Sequence, residues 1–296
     1  MKMEQHETEE HWPPSHSILD CLPWEDVLFK KVFPNLAVQT LFSLRRVSKQ
    51  FHECITYYFQ TSKCLNLSRI AARCNGVAFQ IMTNDNSNLQ ELNLRNSKDW
   101  LTDELLVPVL QRNGRLLLID ISNCTRLTNE SIRILALHCP NLCRITLREC
   151  IWLSVVAVTN LVLHCRGLTH VDLSGCWNLN DEAVVTMAMC CQQLEFLSIA
   201  KIYGVTDHAI ANVASYCRRL KHLNMTGCWR VTNESVILLA EYCRDLKALQ
   251  IRECRDINEQ SLCKLREKNV KVDIPKYPYT IVCPLTRSLQ RLNVQI

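Results

Sequence analysis

The sequence contains little of what several common functional classes require. Only 6 of the 296 residues are glycine and 7% are aromatic, which excludes collagen-like chains and leaves no glycine-rich loop of the kind that holds phosphate groups. No apolar run approaches the roughly 18 residues that cross a membrane, and residues 1–17 are acidic, so we expect neither a membrane span nor a secretion signal. The formal net charge of +5 is small and scattered and does not by itself indicate a nucleic-acid ligand.

Cysteine, in contrast, is abundant. There are 18 cysteines, and ten of them recur in two series that advance by 26 residues. One series is Cys139, Cys165, Cys191, Cys217 and Cys243. The other is Cys124, Cys150, Cys176, Cys228 and Cys254, with Ile202 in its one gap. Equivalent cysteines of a repeat are typical of small buried slots, where a reduced thiol packs as a compact apolar group. We therefore expect free thiols and a reducing compartment, the cytoplasm and also the nucleus.

The same period runs through the apolar residues as the pattern LxxLxLxxC. It occurs in seven copies from Leu89 to Cys254 and in a truncated eighth copy that ends at Ile274. In each copy the apolar positions 4 and 6 predict a short strand, and a later Ser, Thr or Asn, mostly followed by acidic residues, predicts a helix start. Such units are stable only when stacked, and strands pack closer together than helices. We therefore predict an α/β solenoid, a horseshoe with a parallel concave sheet and outer helices.

Positions 3, 5 and 7 of each copy are predicted to face solvent on the concave sheet, where a partner would bind. The candidate substrate-binding residues are Leu118, Asp120, Arg144, Arg148, His170, Phe196, His222 and Arg252. The same positions hold Ser122, Ser174, Ser198 and Ala200. Leu118 and Phe196 have no core to cover them, which suits either a binding hot spot or a partly shielded surface residue. Four tryptophans after the strands form a recognition rim or pack as spacers between repeats: Trp100, Trp152, Trp177 and Trp229.

The segment before the repeats has a different pattern. Pro23 stands where a helix begins, with acidic residues in its first turn. Apolar spacing predicts a second helix near Val38–Leu44 and a third that carries Val47, Phe51 and Ile55. About forty residues make a poor independent core, so we expect a partner to cover their apolar face. The predicted organisation is a disordered leader at 1–17, a helical module at 18–62, a linker with a cap strand at Leu65-Asn66-Leu67 within 63–88, the repeats at 89–274, and a tail at 275–296 that caps the last strand.

Two motifs carry a resemblance to a known family. L-P-W-E-D-V-L at 22–28, followed by R-V-S-K-Q-F at 46–51, resembles the F-box, and the repeats resemble the cysteine-containing class of leucine-rich repeat. Phe51 stands where the family commonly has Trp, and Ser48 replaces a common Cys. The resemblance implies that the F-box docks a Skp-type adaptor, which joins a cullin and a RING subunit, while the repeats hold a protein substrate for ubiquitination. The adaptor contacts that it implies are Leu22, Pro23, Leu28, Leu44, Val47 and Phe51.

Other functional classes fit the sequence less well. Cysteines at helix C-terminal ends, such as Cys139 and Cys165, are disfavoured as thiolate nucleophiles by the helix dipole. The spacing of Cys139 and Cys143 is the nearest approach to a zinc motif. Stacking aromatics interleaved with basic residues, which a nucleic-acid site would need, are largely absent. We expect no catalytic residue, metal, cofactor, membrane or nucleic-acid partner, and therefore no enzyme. A non-degradative F-box scaffold and a plain protein-binding repeat module remain alternatives to a ubiquitin-ligase receptor.

Overall fold

The computed structural model describes Leu19 and residues 22–274, and the chain divides into two compact units. The first unit contains the chain up to Ser62 and also Gln80–Asn86, and the second contains Lys63–Phe79 and the chain from Ser87 onward. The boundary after Ser62 coincides with the end of the helical module expected from the sequence. The predicted leader at 1–17 and the predicted tail at 275–296 lie outside the described residues.

The first unit is helical. It contains a π-helix, a short 3-10 helix and two α-helices, α1 and α2, at Trp24–Val32, Phe33–Asn35, Val38–Leu44 and Lys49–Thr61. Pro23 precedes the π-helix with a φ of −67°, since the fixed φ of proline suits a helix start and its missing N–H would have no partner there. The prediction that the third helix carries Val47 is wrong. Ser48 has an extended backbone and its Oγ accepts a hydrogen bond from the Phe51 N–H, so this helix begins only at Lys49.

Aromatic rings fill much of the interior of the first unit. The rings of Phe33 and Tyr58 meet edge to face with centroids 5.2 Å apart, and Phe59 is buried. Asn86 closes the end of α2, because its Nδ2 donates hydrogen bonds to the carbonyl oxygens of Phe59 and Ser62 at 2.5 and 2.9 Å. These bonds satisfy backbone acceptors that the end of a helix leaves without an intrahelical partner.

The second unit is built on one parallel sheet of nine strands whose spatial order follows the chain. Strands β1 to β9 are Cys64–Asn66, Glu91–Asn93, Leu118–Asp120, Arg144–Thr146, His170–Asp172, Phe196–Ser198, His222–Asn224, Ala248–Gln250 and Lys271–Val272. β1 pairs with β2 in parallel along its whole length, and it begins one residue before the cap strand expected at Leu65-Asn66-Leu67. Each repeat adds one strand beside the previous one, and the unit is an open solenoid.

A helix follows each strand from β2 to β8. Helix α3 is Gly76–Thr83, and the repeat helices α4 to α10 are Asp103–Arg112, Asn129–His138, Val155–His164, Asp181–Cys190, Asp207–Tyr216, Asn233–Tyr242 and Glu259–Glu267. In six of the seven repeat helices the side chain of the expected capping residue accepts a backbone N–H bond: Thr128, Ser154, Asn180, Thr206, Thr232 and Asn258. The seventh helix begins after Thr102, as predicted, without that bond. The predicted helix starts are therefore confirmed.

The first helical residue of most repeats also bonds to the next repeat. Asp207 accepts hydrogen bonds from the backbone N–H and the hydroxyl of Thr232, at 2.9 and 2.8 Å, and from the Ser235 hydroxyl. Four equivalent residues accept a bond from the N–H of the following capping residue: Asp103, Asn129, Asp181 and Asn233. Val155 occupies this position in α6 and has no side-chain acceptor, so the series of bonds is interrupted there.

The residue before each cysteine slot turns the chain where the strand ends. Its φ lies between 57° and 77° in all seven copies, which are Asn96, Asn123, Glu149, Gly175, Lys201, Gly227 and Glu253. The left-handed backbone costs L-residues energy, and here the turn is supported by bonds to the next repeat. For example, the Gly175 N–H donates to the Ala200 carbonyl at 2.9 Å. The turn therefore contributes hydrogen bonds that join one repeat to the next.

Candidate functional site

The solvent-facing side of the sheet, here called the sheet face, is formed by the first and third residues of the strands. The middle residue is buried in every strand from β1 to β8, because side chains alternate between the two faces of a strand. The pairing register aligns the first residues in one row: Cys64, Glu91, Leu118, Arg144, His170, Phe196, His222 and Ala248. Five of the predicted substrate-binding residues are therefore consecutive neighbours in this row.

Phe196 lies between two histidines in the middle of the row. Its ring is stacked on the His170 imidazole, with centroids 6.0 Å apart and planes 12° apart, and it is tilted by 41° to the His222 ring at 6.3 Å. The ring is half-buried by these neighbours. Both interpretations of Phe196 made from the sequence contain part of the answer, because the neighbouring histidines cover part of the ring and the rest of it is exposed to solvent.

Charged groups surround this stack. Partial burial, followed by the nearby Arg144 guanidinium, lowers the pKa of His170 below its usual value of 6.5. Lys221 Nζ pairs with Glu195 Oε2 at 2.8 Å beside the stack. Arg144 has no ion pair within the part of the chain that the structure describes. The sequence analysis missed Lys221 and Glu195, although their opposite charges stand at the same position of neighbouring repeats.

The other two predicted arginines are held by carboxylates on adjacent strands. Arg148 Nε lies 3.8 Å from Asp172 Oδ2. Arg252 Nε lies 3.6 Å from Asp273 Oδ2 and also donates to the Asp273 backbone carbonyl at 3.3 Å. Exposed ion pairs of this kind contribute little to stability. These pairs reduce the positive charge that a ligand would meet. Arg144 is then the cation nearest to the aromatic stack that has no carboxylate partner within the described residues.

The predicted residues form an extended surface rather than a single pocket. Leu118 to His222 lie on five adjacent strands, whereas Arg252 follows β8. At about 4.8 Å per strand, β3 and β8 are separated by roughly 24 Å. A small molecule could not touch both ends of this set. The arrangement suits a protein segment or a folded protein surface laid across the strands.

Four residues that the alternation rule places toward solvent are in fact buried: Ser122, Ser174, Ser198 and Ala200. The Oγ of Ser122 donates to Asp120 Oδ1 at 2.6 Å, and Ser174 does the same to Asp172 at 2.5 Å. Small side chains bonded to a neighbouring carboxylate lie below the longer side chains around them. The Asp120 carboxylate is thus hydrogen-bonded to Ser122 in the turn after its own strand. It is therefore less available to a ligand than we expect from the sequence.

The four tryptophans divide into two classes. The indole N–H of Trp100 donates to the Ala71 carbonyl at 2.9 Å, and that of Trp152 to the Cys124 carbonyl at 2.8 Å. These two rings are the packed spacers that one of the two sequence interpretations describes. Trp177 and Trp229 are instead exposed, which agrees with the other interpretation.

The ten periodic cysteines are buried and free. Nine of these thiols, all but that of Cys243, donate to carbonyl oxygens of the preceding repeat, as Cys176 Sγ does to Leu147 at 3.0 Å and Cys254 Sγ does to Met225 at 3.1 Å. Burial raises the pKa of Cys176 to about 12 and that of Cys139 to about 12. A thiol that stays neutral at pH 7 is a poor nucleophile. The predicted packing role of these cysteines is confirmed.

The described residues contain neither a cluster of metal ligands nor a membrane-spanning helix. Within them, no three His, Cys, Asp or Glu side chains are placed to share a metal ion. None of the helices in this part of the chain is long and apolar enough to span a membrane.

The six predicted adaptor contacts in the first unit differ in exposure. Leu28 is buried inside the unit, whereas Leu22, Leu44 and Phe51 are half-buried and Pro23 is exposed. Val47, in the turn between α1 and α2, is 67% exposed. Leu28 therefore supports the unit from within, and the other five present apolar surface to solvent.

Known proteins share these features. A family model described as Leucine Rich repeat matches residues 164–188 and 216–240. F-box/LRR-repeat protein 15 of Rattus norvegicus is 36% identical over 131 residues, and that of Mus musculus is 36% identical over 130 residues. Each match covers 44% of this chain and 43% of the relative, so the chain aligns with less than half the length of these relatives.

A solved structure with the same fold is a chain of the crystal structure of the Rad7 and Elc1 complex in yeast. It superposes with a TM-score of 0.60 at 17% identity, over 73% of this chain and 56% of that chain. At this identity the likeness shows the fold alone. The chain is thus a leucine-rich-repeat solenoid, and it resembles the F-box/leucine-rich-repeat proteins, as its two sequence motifs predict.

Proposed function

We propose that this protein is the substrate-recognition subunit of a Skp–cullin–F-box ubiquitin ligase. In this proposal the first unit docks a Skp-type adaptor, through which a cullin and a RING subunit are joined, and the sheet face holds a protein substrate. In this proposal the chain acts as a receptor, and the other subunits carry out ubiquitin transfer. Its free, buried thiols support a reducing compartment, the cytoplasm and also the nucleus.

The observation that carries the proposal is the exposed apolar surface at the turn between α1 and α2. Val47 is 67% exposed, and the half-buried Leu44 and Phe51 lie within four residues of it. Exposed apolar residues concentrated at one turn of a small helical unit are typical of a protein interface. This is also the segment whose sequence resembles the F-box.

The same turn is basic. Arg45, Arg46, Lys49 and His52, together with Glu53, line a shallow hollow of about 340 Å³. Arg45 Nη2 lies 3.2 Å from His52 Nε2. An adaptor that covers Val47 would therefore meet positive charge around an apolar centre. Electrostatic complementarity favours an acidic adaptor surface and a faster association at low salt.

The substrate role of the sheet face is supported by the Phe196 stack. An aromatic ring between two imidazoles, with the unpaired Arg144 on one side, combines the residue types found at protein-binding hot spots. The mixed charge of the surrounding residues favours a protein over a polyanion.

Binding of a purified Skp-type adaptor to the full chain tests the first half of the proposal. We expect Val47→Asp to weaken binding at least tenfold, measured by calorimetry. Val77→Asp is the matched control, because Val77 is 65% exposed but lies outside the predicted surface. Leu28→Ala is unsuitable, since a buried leucine supports the fold itself. Equal affinities of the two aspartate variants would contradict the F-box assignment.

Affinity purification from cells with ligase activity blocked tests the second half. The Leu22→Ala/Pro23→Ala variant should lose the adaptor and cullin and keep proteins bound to the sheet face. The Phe196→Ala variant should keep the adaptor and cullin and lose the proteins bound to the sheet face. Ubiquitin chains on a retained protein, formed only with adaptor-bound wild type, would support the receptor role. Stable retention without ubiquitin chains would favour the non-degradative scaffold, and wild type that captures no adaptor or cullin would favour a plain repeat module. Loss of neither partner class from the Leu22→Ala/Pro23→Ala variant would contradict the F-box assignment.

A further inference from the structure

Four large apolar side chains form a second exposed row, away from the sheet face. They are the residues that directly follow the cysteine slot in four consecutive repeats: Ile151, Trp177, Tyr203 and Trp229. Their exposed fractions are 46%, 54%, 46% and 52%. Single exposed apolar residues are common on protein surfaces, but four at the equivalent position of consecutive repeats are not. We call this set the aromatic row.

The loop geometry explains why the row faces outward. In these loops the next residue turns back to the preceding repeat. The Trp152 indole donates to the Cys124 carbonyl at 2.8 Å, and the Asn178 side-chain amide donates to the Ile151 carbonyl. Because the inner position is filled by these bonded side chains, the residue before it points away from the solenoid. The outward placement of Ile151 and Trp177 is therefore set by bonds between repeats, and Trp229 occupies the equivalent loop position.

The surroundings of the row carry little net charge. Glu149 and Lys201, which precede the slots, have opposite charges, and Arg230 adds one positive charge beside Trp229. The residues next to Trp177 and Tyr203 in the loops are small or uncharged, including Gly175 and Gly204. A nucleic acid or an anionic membrane would require a clearly positive surface. The row therefore suits an uncharged, extended ligand.

We propose that the aromatic row binds a proline-rich segment of another protein in the polyproline II conformation. Such segments dock in aromatic-lined grooves, where proline rings lie against aromatic faces. They have no internal hydrogen bonds, so their carbonyl oxygens are free acceptors. The indole N–H groups of Trp177 and Trp229 have no acceptor within the described residues, in contrast to those of Trp100 and Trp152. Two free donors thus stand beside stacking surfaces.

The length of the row sets the length of the segment. Loops between strands about 4.8 Å apart and helices about 8–10 Å apart are spaced by roughly 5–10 Å per repeat, so three steps span roughly 15–30 Å. A polyproline II helix rises about 3.1 Å per residue. The row therefore accommodates about five to ten residues.

A glycan is the main alternative ligand for exposed aromatic rings. It would need polar side chains free to bond its hydroxyl groups. The Asn178 amide is already bonded to the Ile151 carbonyl, and the Asn180 side chain caps a helix through the Glu182 N–H. The two asparagine side chains that follow Trp177 are therefore engaged, which favours a ligand bound by stacking and by the indole donors.

The test uses the full chain labelled with nitrogen-15 and a synthetic proline decamer. The indole N–H signals of Trp177 and Trp229, assigned by Trp→Phe variants, are expected to shift on titration, whereas those of Trp100 and Trp152 stay in place. In fluorescence anisotropy with the labelled decamer, Trp177→Ala/Trp229→Ala should weaken binding at least about tenfold. Tyr216→Ala/Tyr242→Ala removes two exposed rings on the repeat helices and should leave the affinity unchanged.

Three outcomes would overturn the proposal. They are failure of the decamer to shift either indole signal, equal binding of a glycine-serine decamer, and binding of a soluble oligosaccharide such as cellohexaose in place of the decamer. Circular dichroism of each variant verifies folding. None of these results depends on the adaptor or on ubiquitin transfer, so the proposal stands or falls separately from the proposed function.

Discussion

The Phe196 ring lies nearly parallel to the His170 imidazole, with 6.0 Å between centroids and 12° between planes. The two residues are direct partners on neighbouring strands, so the parallel register fixes this contact without any loop. An aromatic face presented on a sheet in this way loses little side-chain entropy when a ligand covers it.

Substitution of Arg144 should raise the pKa of His170. Partial burial is the largest cause that holds this pKa below its usual value of 6.5, and the Arg144 charge is the next, so Arg144→Ala removes one of the causes. Titration of the His170 ring signals by NMR measures the change. Arg95 lies on the same face but three strands away, so Arg95→Ala should leave the pKa of His170 unchanged. An unchanged His170 pKa in Arg144→Ala would show that Arg144 does not influence the stack.

The same pKa predicts how the stability of the second unit depends on pH. Because the folded pKa of His170 is lowered, the unfolded chain binds a proton more readily than the folded protein does. This residue therefore contributes a loss of stability as pH falls below about 6.5. Urea unfolding of wild type and His170→Gln at pH 7.5 and 5.5 tests it, and wild type should lose more stability between these two pH values than the variant does.

Removal of the Asp207 carboxylate should weaken the bonding between two repeats. Burial would raise the pKa of Asp207, but hydrogen bonds from Ser235 and Thr232 outweigh it and hold the pKa below its usual value of 3.8. We expect Asp207→Ala to cost about 1–3 kcal/mol at pH 7. The stabilising effect is present above the unfolded pKa and is lost as pH falls below it. Glu234→Ala, an exposed acid in the next helix, should cost much less in the same urea unfolding series.

Val155→Asp should stabilise the solenoid. The aspartate would restore the acceptor that the neighbouring repeats have, adding a bond to the Asn180 N–H worth about 0.5–1.5 kcal/mol, and it would favour the start of α6. Val156→Asp, one residue further on at a 68% exposed position, adds only the second effect. Calorimetric melting of both variants tests this. Equal melting temperatures would refute a bond between the repeats at this position.

Alkylation should distinguish the periodic cysteines from the others. Iodoacetamide at pH 8 is expected to modify the half-buried Cys143 and Cys190 in the native protein. Cys124 and Cys176 should react only in denaturant, since both are buried and burial raises the pKa of each to about 12. Peptide mass spectrometry after timed quenching reads out each site. Native-state labelling of Cys176 at the rate of Cys143 would contradict the packing role.

The fold follows from the sequence because its signals repeat. Each copy of the pattern places a buried leucine, isoleucine or valine at the centre of a strand, as Leu197 and Leu223 show. Because seven copies give the same prediction, the strand assignment does not depend on any one of them. Helix starts are equally predictable, since a capping side chain such as Thr232 acts on N–H groups two or three residues away. Local rules of this kind need no knowledge of distant contacts.

The site was less predictable because exposure depends on neighbouring repeats. Ser198 follows the alternation rule for a solvent-facing residue, yet the larger side chains around it and the Ser174 hydroxyl at 2.7 Å cover it. Trp152 and Trp177 differ by one position in their loops, and only hydrogen bonding to the preceding repeat separates a packed ring from an exposed one. Val47 is a further example. Ser48 caps the helix, so the helix begins after Val47 and does not include it, although the apolar spacing predicts that it does.

The thiol slots also bear on what happens after the protein unfolds. While the chain is folded, each periodic sulfur is shielded from oxidants and from the other sulfurs. Unfolding would release all ten together with ordinary acidity, and in an oxidising solution they would cross-link in many mismatched pairs. Refolding would then be blocked covalently. Recovery of this protein after heating should therefore require a continuous supply of reductant, even though its native state contains no disulfide within the described residues.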